Sequence, residues 1–464
     1  MANKYHIITY GCQMNKSDSE RIATVLKSSG YSPTPNRKEA DLVVINVCSI
    51  RQSALDRVYG LISNIKNKKS RLYQGLDEQI KTQIKNQKII LTGCILPKDK
   101  EKLKNKVDLI FDINQLTNLP QMLSQTNTNL SRHLAIKEFD NLAIKQLNNY
   151  LSIKPCYSTF PFAYLPIMTG CNNFCTYCVV PYTRGREVSR PVEEIICEVK
   201  ELIKRGYKKI ILLGQNVNSY KSKTPNSKLK KVNFPKLLKI VNNLPGDFWL
   251  TFITSHPQDF SDELIETMTK CEKVMPYLHL PVQSGDNQVL KKMNRHYTVA
   301  HYKELIKKIR EKFAKIREGF EKNICISTDI IVGFPGETKK QFAQTARLMR
   351  EIKFDMAYIA KYSPRPGTAA TKLKDNIPLK EKEKRWKILA KILEKTALKN
   401  NKKYLNKTVE VLIEKQSGNS LYGQTKTFKN VKVYSPEQKI TGEIVEVKIK
   451  KISPWGLAGE LIKN

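Results

Sequence analysis

Short apolar runs alternate with amphipathic stretches along the amino-terminal part of the chain. Three runs have the length and composition of buried strands: Tyr5–Tyr10, Asp41–Val47 and Lys88–Leu91. Between the first two lies a stretch with helical spacing, bounded by the capping-box sequence Ser17–Glu20 and by Gly30, a common helix stop. A second helical stretch begins near Gln52. Strands that alternate with helices predict a parallel α/β sheet.

The central part of the chain repeats this alternation over a longer distance. Helical patterns such as Glu193–Arg205 and Tyr302–Lys312 separate segments with the character of strands. These segments are Ala163–Met168, Lys209–Leu213, Trp249–Thr254, Tyr277–Leu280, Ile324–Val332 and Ala357–Tyr362. Six such units predict an open (βα)6 relative of the eightfold barrel, whose chemistry lies at the carboxyl ends of the strands. The polar stretch before it predicts a connection with one helix near Asn141–Tyr150.

From Lys402 onward the hydrophobic period changes to two. Val409, Val411 and Ile413 alternate with charged residues, which predicts the half-buried strands of a small all-β barrel. Three aromatic residues of this segment lie among three lysines: Tyr422, Phe428, Tyr434, Lys426, Lys429 and Lys432. Basic groups interleaved with rings suit RNA, whose bases stack on them. The alternative is a solvated lysine-rich barrel with the aromatic residues in its core.

Bulk properties narrow the class of protein. A chain of 464 residues is long enough for two or three domains. Its net charge of +38 suggests a polyanionic partner, although lysines on solvated helix faces give the same balance. Ten cysteines are too few for a disulfide scaffold. Neither a leader-like start nor an apolar run of roughly 18 residues is seen, so we expect a cytoplasmic protein that does not enter a membrane. We also expect it to be a monomer.

The segment Cys171-Asn-Asn-Phe-Cys175-Thr-Tyr-Cys178 places three thiols on one short loop. Cysteine thiolates are the usual ligands of iron–sulfur clusters, and three of them leave one iron of a [4Fe–4S] cluster open for chemistry. A structural zinc site is the alternative. It needs a fourth ligand nearby, and the closest downstream cysteine, Cys197, falls in a helical pattern.

Three further cysteines, Cys12, Cys48 and Cys94, each follow the carboxyl end of a separate predicted strand. In a parallel sheet these ends share one edge, which is where ligands bind. Three thiols distant in sequence are therefore predicted to converge on a second cluster site with an open iron. The alternative is three ordinary buried cysteines. We expect Cys156, Cys197, Cys271 and Cys325 to be structural.

Polar and glycine residues follow the strands of the predicted barrel in order. They include Gly214-Gln215-Asn216, Ser255-His256, His279 and Gln283. Glycine lets backbone approach a ligand closely, while amides and hydroxyls fix its orientation. His256 and His279 are candidates for ligands or acid–base groups, but a hydrogen-bonded structural histidine is the commoner case.

The chain resembles the methylthiotransferase family of radical S-adenosylmethionine (SAM) enzymes. The Cys171–Cys178 loop is similar to the cluster-binding signature of radical SAM enzymes, with Tyr177 as its aromatic residue. Further matching stretches are Tyr10–Asn15, Cys48–Arg51, Cys171–Arg190, Leu213–Asn218, Thr254–Pro257, His279–Gly285 and Ser327–Thr338. The resemblance implies three domains: an amino-terminal α/β domain over 1–125, a radical SAM core over 157–396 and an RNA-binding TRAM barrel over 398–464, with 126–156 as a connection.

The resemblance also implies the cofactors. One [4Fe–4S] cluster would be held by Cys12, Cys48 and Cys94, and a second by Cys171, Cys175 and Cys178, with SAM on its open iron. The implied SAM-binding residues are Tyr177, Gly214, Gln215, Asn216, Ser255 and Gln283. The first cluster would carry the sulfur that is methylated and inserted, and the second would generate the radical. One SAM molecule would supply the methyl group and another the radical.

Within the family, the matching stretches are most similar to bacterial members that act on N6-isopentenyladenosine at tRNA position 37. The implied reaction removes hydrogen from C2 of this adenine and inserts a methylated sulfur. The implied partners are the tRNA anticodon stem-loop and an electron donor such as flavodoxin or ferredoxin. Because C2–H is unactivated, acid–base chemistry does not easily remove it, and the base must be splayed into the barrel.

Three alternatives remain at this point. Methylthiolation of threonylcarbamoyl-adenosine in tRNA is disfavoured by Gln13–Asn15 and Leu213–Asn218. Methylthiolation of a ribosomal-protein aspartate is disfavoured by the basic carboxy-terminal barrel and by Asn172-Asn173. A non-enzymatic RNA-binding module with structural clusters is disfavoured by the incomplete ligand set of both sites, because electron-transfer clusters favour four protein ligands.

Overall fold

The computed structural model describes residues 3–48, 52–66, 87–125, 149–223, 231–434 and 440–462. The chain forms two compact units. The first comprises Met1–Ser158 and Val179–Arg186, and the second comprises Thr159–Cys178 and Glu187–Asn464. The cysteine loop 171–178 therefore belongs to the second unit, and the residues that follow it directly belong to the first. No described helix has the length and apolar character needed to cross a bilayer.

The first unit is built on a five-stranded sheet whose strand pairs are all parallel. Its strands are β1 Lys4–Tyr10, β2 Ser32–Pro33, β3 Leu42–Cys48, β4 Lys88–Cys94 and β5 Leu109–Ile110, in the order β2-β1-β3-β4-β5. Its helices are α1 Gln13–Ser28, α2 Gln52–Lys66, α3 Pro97–Leu103, α4 Leu119–Gln125 and α5 Val180–Thr183. The expectation of a parallel α/β sheet is confirmed. β2 and β5 are too short to show a sequence pattern.

Helix α1 begins four residues before the predicted capping box, so that boundary was wrong. Cys12 is the N-cap residue, and its backbone N–H donates to Oδ1 of Asn15, three residues along, at 3.3 Å. Ser17 and Glu20 are instead buried within the helix, where Glu20 accepts hydrogen bonds from Ser158. The predicted stop is confirmed, because the helix ends at Ser28 and Gly30 has a φ of 85°.

The larger part of the second unit contains the predicted six parallel strands. They are β6 Phe162–Pro166, β9 Lys209–Leu213, β12 Trp249–Phe252, β13 Tyr277–His279, β14 Cys325–Val332 and β15 Met356–Lys361. They form two three-stranded sheets, β12-β9-β6 and β13-β14-β15, joined by a parallel bridge between Leu250 and Val274. Among the described residues, the first and last of these six strands do not pair with each other, so the barrel is open, as predicted. The predicted helix at 141–150 lies almost wholly outside the described residues.

Shorter elements complete this part of the unit. Two small antiparallel pairs are β7 Met168–Thr169 with β8 Val188–Ser189, and β10 Lys221–Lys223 with β11 Lys231–Asn233. The helices are α6 Val192–Lys204, α7 Phe234–Asn242, α8 Asp262–Lys270, α9 Asn287–Lys292, α10 Val299–Ile316, α11 Lys339–Ile352 and α12 Leu379–Asn401. The apolar residues Ile195, Val199 and Leu202 of α6 recur at helical spacing and are buried.

The carboxy-terminal strands close into a small barrel, as predicted. They are β16 Thr408–Ser417, β17 Ser420–Thr425, β18 Asn430–Tyr434, β19 Ile444–Ser453 and β20 Gly456–Leu461, in the order β16-β17-β18-β20-β19. The alternating residues Val409, Val411 and Ile413 point into its core together with Val447 and Ile449. The alternating pattern buries the apolar side chains inside the barrel, and closure of the barrel leaves no unpaired strand edge.

Half of the residues proposed for RNA stacking instead join this barrel to the six-stranded part of the same unit. Phe428 stacks on Tyr277 with ring centroids 3.8 Å apart. Lys429 is buried and pairs with Asp355 at 2.7 Å, and Lys426 pairs with Glu321 at 2.6 Å. Phe428, Lys426 and Lys429 thus have partners within the unit, whereas the sequence pattern favoured contact with RNA. Their contacts are with residues far away in sequence, which no local pattern reveals.

The buried Lys429–Asp355 pair predicts a large stability effect. Replacing Lys429 by Met leaves a buried carboxylate without its cation, which costs about 3–5 kcal/mol. Burial raises the pKa of Asp355, but Lys429 more than offsets this, so the folded pKa is lowered. The pair therefore stabilises the fold above the unfolded pKa of about 3.9, and this contribution is lost as the pH falls through the folded value.

Urea unfolding of the full chain checks this expectation. The double variant Asp355→Asn/Lys429→Met should recover part of the loss. Lys450→Met, which breaks the exposed Lys450–Glu460 pair of the same barrel, is the matched control and should change stability by less than about 1 kcal/mol. Equal effects of the two lysine variants would show that Lys429 has no special role in joining the two parts.

Candidate metal centres and cofactor pocket

Three thiols meet at one edge of the sheet in the first unit. Cys48 and Cys94 are the last residues of β3 and β4 and stand opposite each other in the strand register. Cys12 follows β1 and caps α1. The Cys48 thiol is the hydrogen-bond partner of both other sulfurs. The structure thus brings together the three residues that the strand ends predicted.

The three thiols differ in proton affinity. The hydrogen bond from Cys48 lowers the pKa of Cys12 to about 6, against the opposing effect of burial. The same group and nearby Arg184 lower the pKa of Cys94, again against burial, whereas the pKa of Cys48 is raised by its two sulfur neighbours. The lowered pKa of Cys12 and Cys94 favours the deprotonated form in which cysteine holds an iron–sulfur cluster.

Amides beneath the thiols fix the loops that carry them. Asn15 donates to Oδ1 of Asn46 at 2.8 Å, and Asn46 donates back to the Asn15 carbonyl at 2.8 Å. Both side chains are fully buried. Gly93 has a φ of 113°, and a Cβ there would lie 2.2 Å from the Val47 carbonyl oxygen, so only glycine lets β4 end this close to β3. These contacts hold α1, β3 and β4 close together at the edge that carries the thiols.

A buried arginine that sequence reasoning missed reaches this site. Arg184, from the segment after α5, donates its Nε–H to Sγ of Cys94 at 2.9 Å. Its other nitrogens donate to Asp18 at 2.6 Å and to the hydroxyl of Tyr150 at 3.1 Å. Arg184 belongs to the matching stretch 171–190, but spacing alone does not show that it folds against Cys94.

The second set of thiols lies on a loop of the second unit. Cys171, Cys175 and Cys178 are all half-buried. Asn294 holds the loop by donating to the carbonyl oxygens of Asn173 and Phe174, at 3.3 and 3.1 Å. Thr176 is tied to the end of α9 by its N–H and its hydroxyl. Phe174 adopts a left-handed φ of 47°, a turn that these contacts stabilise.

Tyr177 and Arg295 flank this loop. Tyr177 packs against a cluster of apolar side chains that includes Val289, Met293 and Phe334. Arg295, which sequence reasoning did not single out, is buried and donates to Sγ of Cys175 at 3.5 Å. Its remaining donors bind the hydroxyl of Tyr297 and the carbonyl of Pro281, each at 2.9 Å. Each set of three thiols thus has one buried guanidinium that donates to one sulfur.

Several buried polar side chains lie at the carboxyl ends of the barrel strands. Among the described residues, several buried side-chain atoms there have no hydrogen-bond partner: Oδ1 of Asn216, Oγ of Ser255, Oε1 of Gln283 and Nε2 of His256. Each such group costs about 1–3 kcal/mol if it stays unpaired. These atoms therefore fit a site whose partner is a polar ligand, as SAM is.

The other predicted pocket residues have structural partners. Gln215 accepts a hydrogen bond from the backbone N–H of Gly170 at 2.6 Å, which ties it to the start of the cysteine loop. A Cβ on Gly214 would lie 2.6 Å from Cγ of Met168, so glycine is required here for packing. Both residues thus support the loop, and contact with SAM stays a prediction for them.

The two histidines differ. His256 accepts from the N–H of Gln258 through Nδ1 at 3.3 Å, and burial together with Arg295 and His296 lowers its pKa to about 3. It is therefore neutral and carries its proton on Nε2, the atom without a partner among the described residues. His279 bonds Ser327 at 2.9 Å and lies 3.4 Å from Asp329, which fits the structural role expected of it.

The remaining cysteines lie apart from both sets. Cys271 and Cys325 are buried, Cys197 is exposed on α6, and Cys156 is half-buried with the Lys27 ammonium 3.1 Å from its sulfur. Within the described part of the chain, no three His, Cys, Asp or Glu side chains have the arrangement for holding a single metal ion.

Three family models match successive parts of the chain. Residues 4–112 match an uncharacterized protein family, UPF0004, residues 165–349 match the radical SAM superfamily, and residues 402–462 match the TRAM domain. A tRNA-2-methylthio-N(6)-dimethylallyladenosine synthase of Clostridium botulinum (strain Hall) is 42% identical over 99% of this chain and 97% of its own length. The chain belongs to this family of synthases.

Other similarities agree with this membership. The synthase of Thermoanaerobacter sp. (strain X514) is 40% identical over 99% of this chain and 93% of its own length. Among solved structures, the radical SAM methyltransferase TsrM of Kitasatospora setae, with cobalamin and a [4Fe–4S] cluster bound, aligns with a TM-score of 0.50. That alignment covers 80% of this chain and 77% of TsrM at 12% identity, so it concerns the fold alone.

Proposed function

We propose that this chain converts N6-isopentenyladenosine at tRNA position 37 to its 2-methylthio derivative. The observation that carries the proposal is the presence of two separate three-thiol sets, one at the sheet edge of the first unit and one on a loop of the second. Similarity to synthases of this product extends over 99% of the chain, so it includes both sets. A protein with one such set could generate a radical but would lack a second centre as a source of sulfur.

The chain's own residues fit the cofactors that this reaction needs. Cys171, Cys175 and Cys178 would hold one [4Fe–4S] cluster, and Cys12, Cys48 and Cys94 the other. When bound, the cluster on Cys171, Cys175 and Cys178 would, together with SAM, supply a radical able to remove the C2 hydrogen. The cluster on Cys12, Cys48 and Cys94 would supply sulfur. The protein holds the thiols, orients SAM and excludes water. The electron donor is a flavodoxin or a ferredoxin, and the enzyme acts as a cytoplasmic monomer.

The orphaned polar atoms at the strand ends are proposed as SAM contacts. The side-chain carbonyls of Asn216 and Gln283 accept hydrogen bonds, Ser255 can donate or accept, and His256 donates through Nε2. An ammonium and a carboxylate, such as those of methionine, need both kinds of partner. Asn216 is already oriented because it donates to Asp259 at 2.7 Å, and Gln283 is held by backbone bonds to Asp329 and Ile331.

The carboxy-terminal barrel is proposed to bind the tRNA through a surface that includes Tyr422 and Lys432, two of the residues expected for this role. A cavity of about 570 Å³ opens on it and is lined by Tyr422, Lys415, Lys432, Lys451 and Trp455 among others. Trp455 is 50% exposed, and the Lys415 ammonium lies 5.1 Å from the Tyr422 ring centre. Rings with cations beside them stack bases and bind phosphates.

The residues that line this cavity predict which substitutions weaken RNA binding. Trp455→Ala should weaken binding of the anticodon stem-loop by about 1–3 kcal/mol, because it removes a stacking surface. Lys451→Gln should lower the slope of log affinity against log salt by about one. Fluorescence anisotropy at several salt concentrations measures both. Lys426→Gln is the matched control, since it removes the same charge from the same barrel, but from a lysine that pairs with Glu321 of this chain. A larger effect of the control than of the cavity variants would show that RNA binds to another part of the surface.

Mass spectrometry of tRNA nucleosides tests the proposed reaction. Anaerobically reconstituted protein is incubated with SAM, dithionite and tRNA that carries N6-isopentenyladenosine. We expect the 2-methylthio derivative of that nucleoside. If SAM is cleaved but this nucleoside stays unchanged, while threonylcarbamoyl-adenosine tRNA or a ribosomal-protein aspartate gains the group, the substrate assignment is wrong. If loaded protein cleaves no SAM, the enzyme assignment fails.

A further inference from the structure

Arg184 is a buried cation wedged between a cysteine of the first set and a buried carboxylate. Its side chain is 2% exposed and that of Asp18 is 0% exposed. Its Nε–H points at Sγ of Cys94 at 2.9 Å, while one terminal nitrogen binds Asp18 at 2.6 Å. The positive charge is therefore held directly against the sulfur, with the compensating negative charge on the opposite side of the guanidinium.

A third residue makes this arrangement rigid. The Tyr150 hydroxyl donates to Oδ1 of Asp18 at 3.2 Å and accepts from Arg184 at 3.1 Å. Asp18 lies on α1, the helix that Cys12 caps, so the ring of three side chains is built into the same framework as the thiols. Burial lowers the pKa of Arg184, but Asp18 and Cys94 more than offset this, and the guanidinium stays charged.

We propose that Arg184 is a positioning residue of the first metal centre, which holds the Cys94 thiolate and makes a cluster bound there easier to reduce. The inference rests on the proposed function, because that assigns a cluster to Cys12, Cys48 and Cys94. An added electron increases the negative charge of a cluster. A fixed cation and an N–H donor at a ligand sulfur favour the reduced form, and hydrogen bonds to sulfur are among the factors that set cluster potentials.

Asp18 limits this effect. Its carboxylate attracts the guanidinium away from the sulfur and partly cancels its charge. Removing Asp18 alone and removing both groups should therefore shift the potential in opposite directions. An ion pair that only stabilised the fold would give no such sign change, because both variants would act on stability or cluster loading and leave the potential as it was.

The test measures the reduction potential of the first cluster by electron paramagnetic resonance, with iron content determined in parallel. The full chain is used with Cys171, Cys175 and Cys178 replaced by Ala, so that only the first cluster can form. Asp18→Asn should shift the potential to more positive values. The double variant Asp18→Asn/Arg184→Gln should shift it to more negative values, without leaving a buried charge unpaired.

Arg184→Lys and Arg295→Lys complete the experiment. Arg184→Lys keeps the positive charge beside Asp18 but loses the fixed Nε donor, so we expect the reduction potential to shift to more negative values. This variant keeps the test decisive if another variant binds no iron. Arg295 is also a buried arginine but lies in the second unit, so Arg295→Lys controls for the same change of side chain away from the first set and should leave the first cluster unchanged. Unchanged potentials in loaded Arg184 and Asp18 variants would overturn the inference alone. Absence of any cluster on the unaltered first set would contradict the proposed function instead.

Discussion

Cys175→Ala is expected to abolish reductive cleavage of SAM and, with it, formation of the methylthio product. Cys175 is the middle thiol of the loop 171–178 and the one to which Arg295 donates. With only two thiolates left, the loop cannot retain a cluster that has a single open iron for SAM. Chromatographic detection of 5′-deoxyadenosine after incubation with dithionite measures the loss directly.

Cys197→Ala is the matched control for this variant. Cys197 lies in the same unit, is exposed on α6 and is outside both thiol sets. The control should cleave SAM at the rate of the unaltered protein. Substantial 5′-deoxyadenosine from the Cys175 variant, with its iron content intact, would show that the radical-generating cluster has other ligands.

Cys48→Ala should separate the two halves of the chemistry, because it removes the central thiol of the first set and leaves the second set complete. Cleavage of SAM to 5′-deoxyadenosine is expected to continue, while methylthiolation of the tRNA is lost. Cys48 is the hydrogen-bond partner of both Cys12 and Cys94, so its removal leaves these two thiols without the sulfur that lies between them. Iron content, 5′-deoxyadenosine and modified nucleoside are measured on the same preparation.

Cys156→Ala provides the comparison in the first unit, since this half-buried cysteine lies outside the set. It should retain both activities. Methylthio product from the Cys48 variant would refute the assignment of the first cluster as the sulfur source. Loss of SAM cleavage in the same variant would mean that the two sites do not act separately.

Much of the fold could be predicted because the relevant signals are local. The buried strands β3 and β9 and the alternating apolar residues of β16 have local sequence patterns. These patterns do not depend on which part of the chain the strands pack against. Strand-end geometry then predicts that Cys48 and Cys94 lie side by side, as they do in the structure. The start of α1 was missed because a thiol and Asn15 form its cap, whereas Ser17 and Glu20 have the usual sequence of a capping box.

The parts that escaped prediction depend on contacts between distant residues. Arg184 follows the second set of cysteines in sequence but donates to Cys94 in the first unit, 90 positions earlier. Phe428 and Lys429 were expected to face RNA, but they contact Tyr277 and Asp355 of the same unit. Composition and spacing describe what a side chain can do, whereas these roles depend on which partner the fold supplies.

The most direct test of the account follows the C2 hydrogen. Substrate tRNA is prepared with deuterium at C2 of N6-isopentenyladenosine and is incubated with reconstituted protein, SAM and dithionite. We expect 5′-deoxyadenosine formed during turnover to carry one deuterium and the product nucleoside to be the 2-methylthio derivative. Product that forms while 5′-deoxyadenosine stays unlabelled would contradict removal of this hydrogen by the SAM-derived radical.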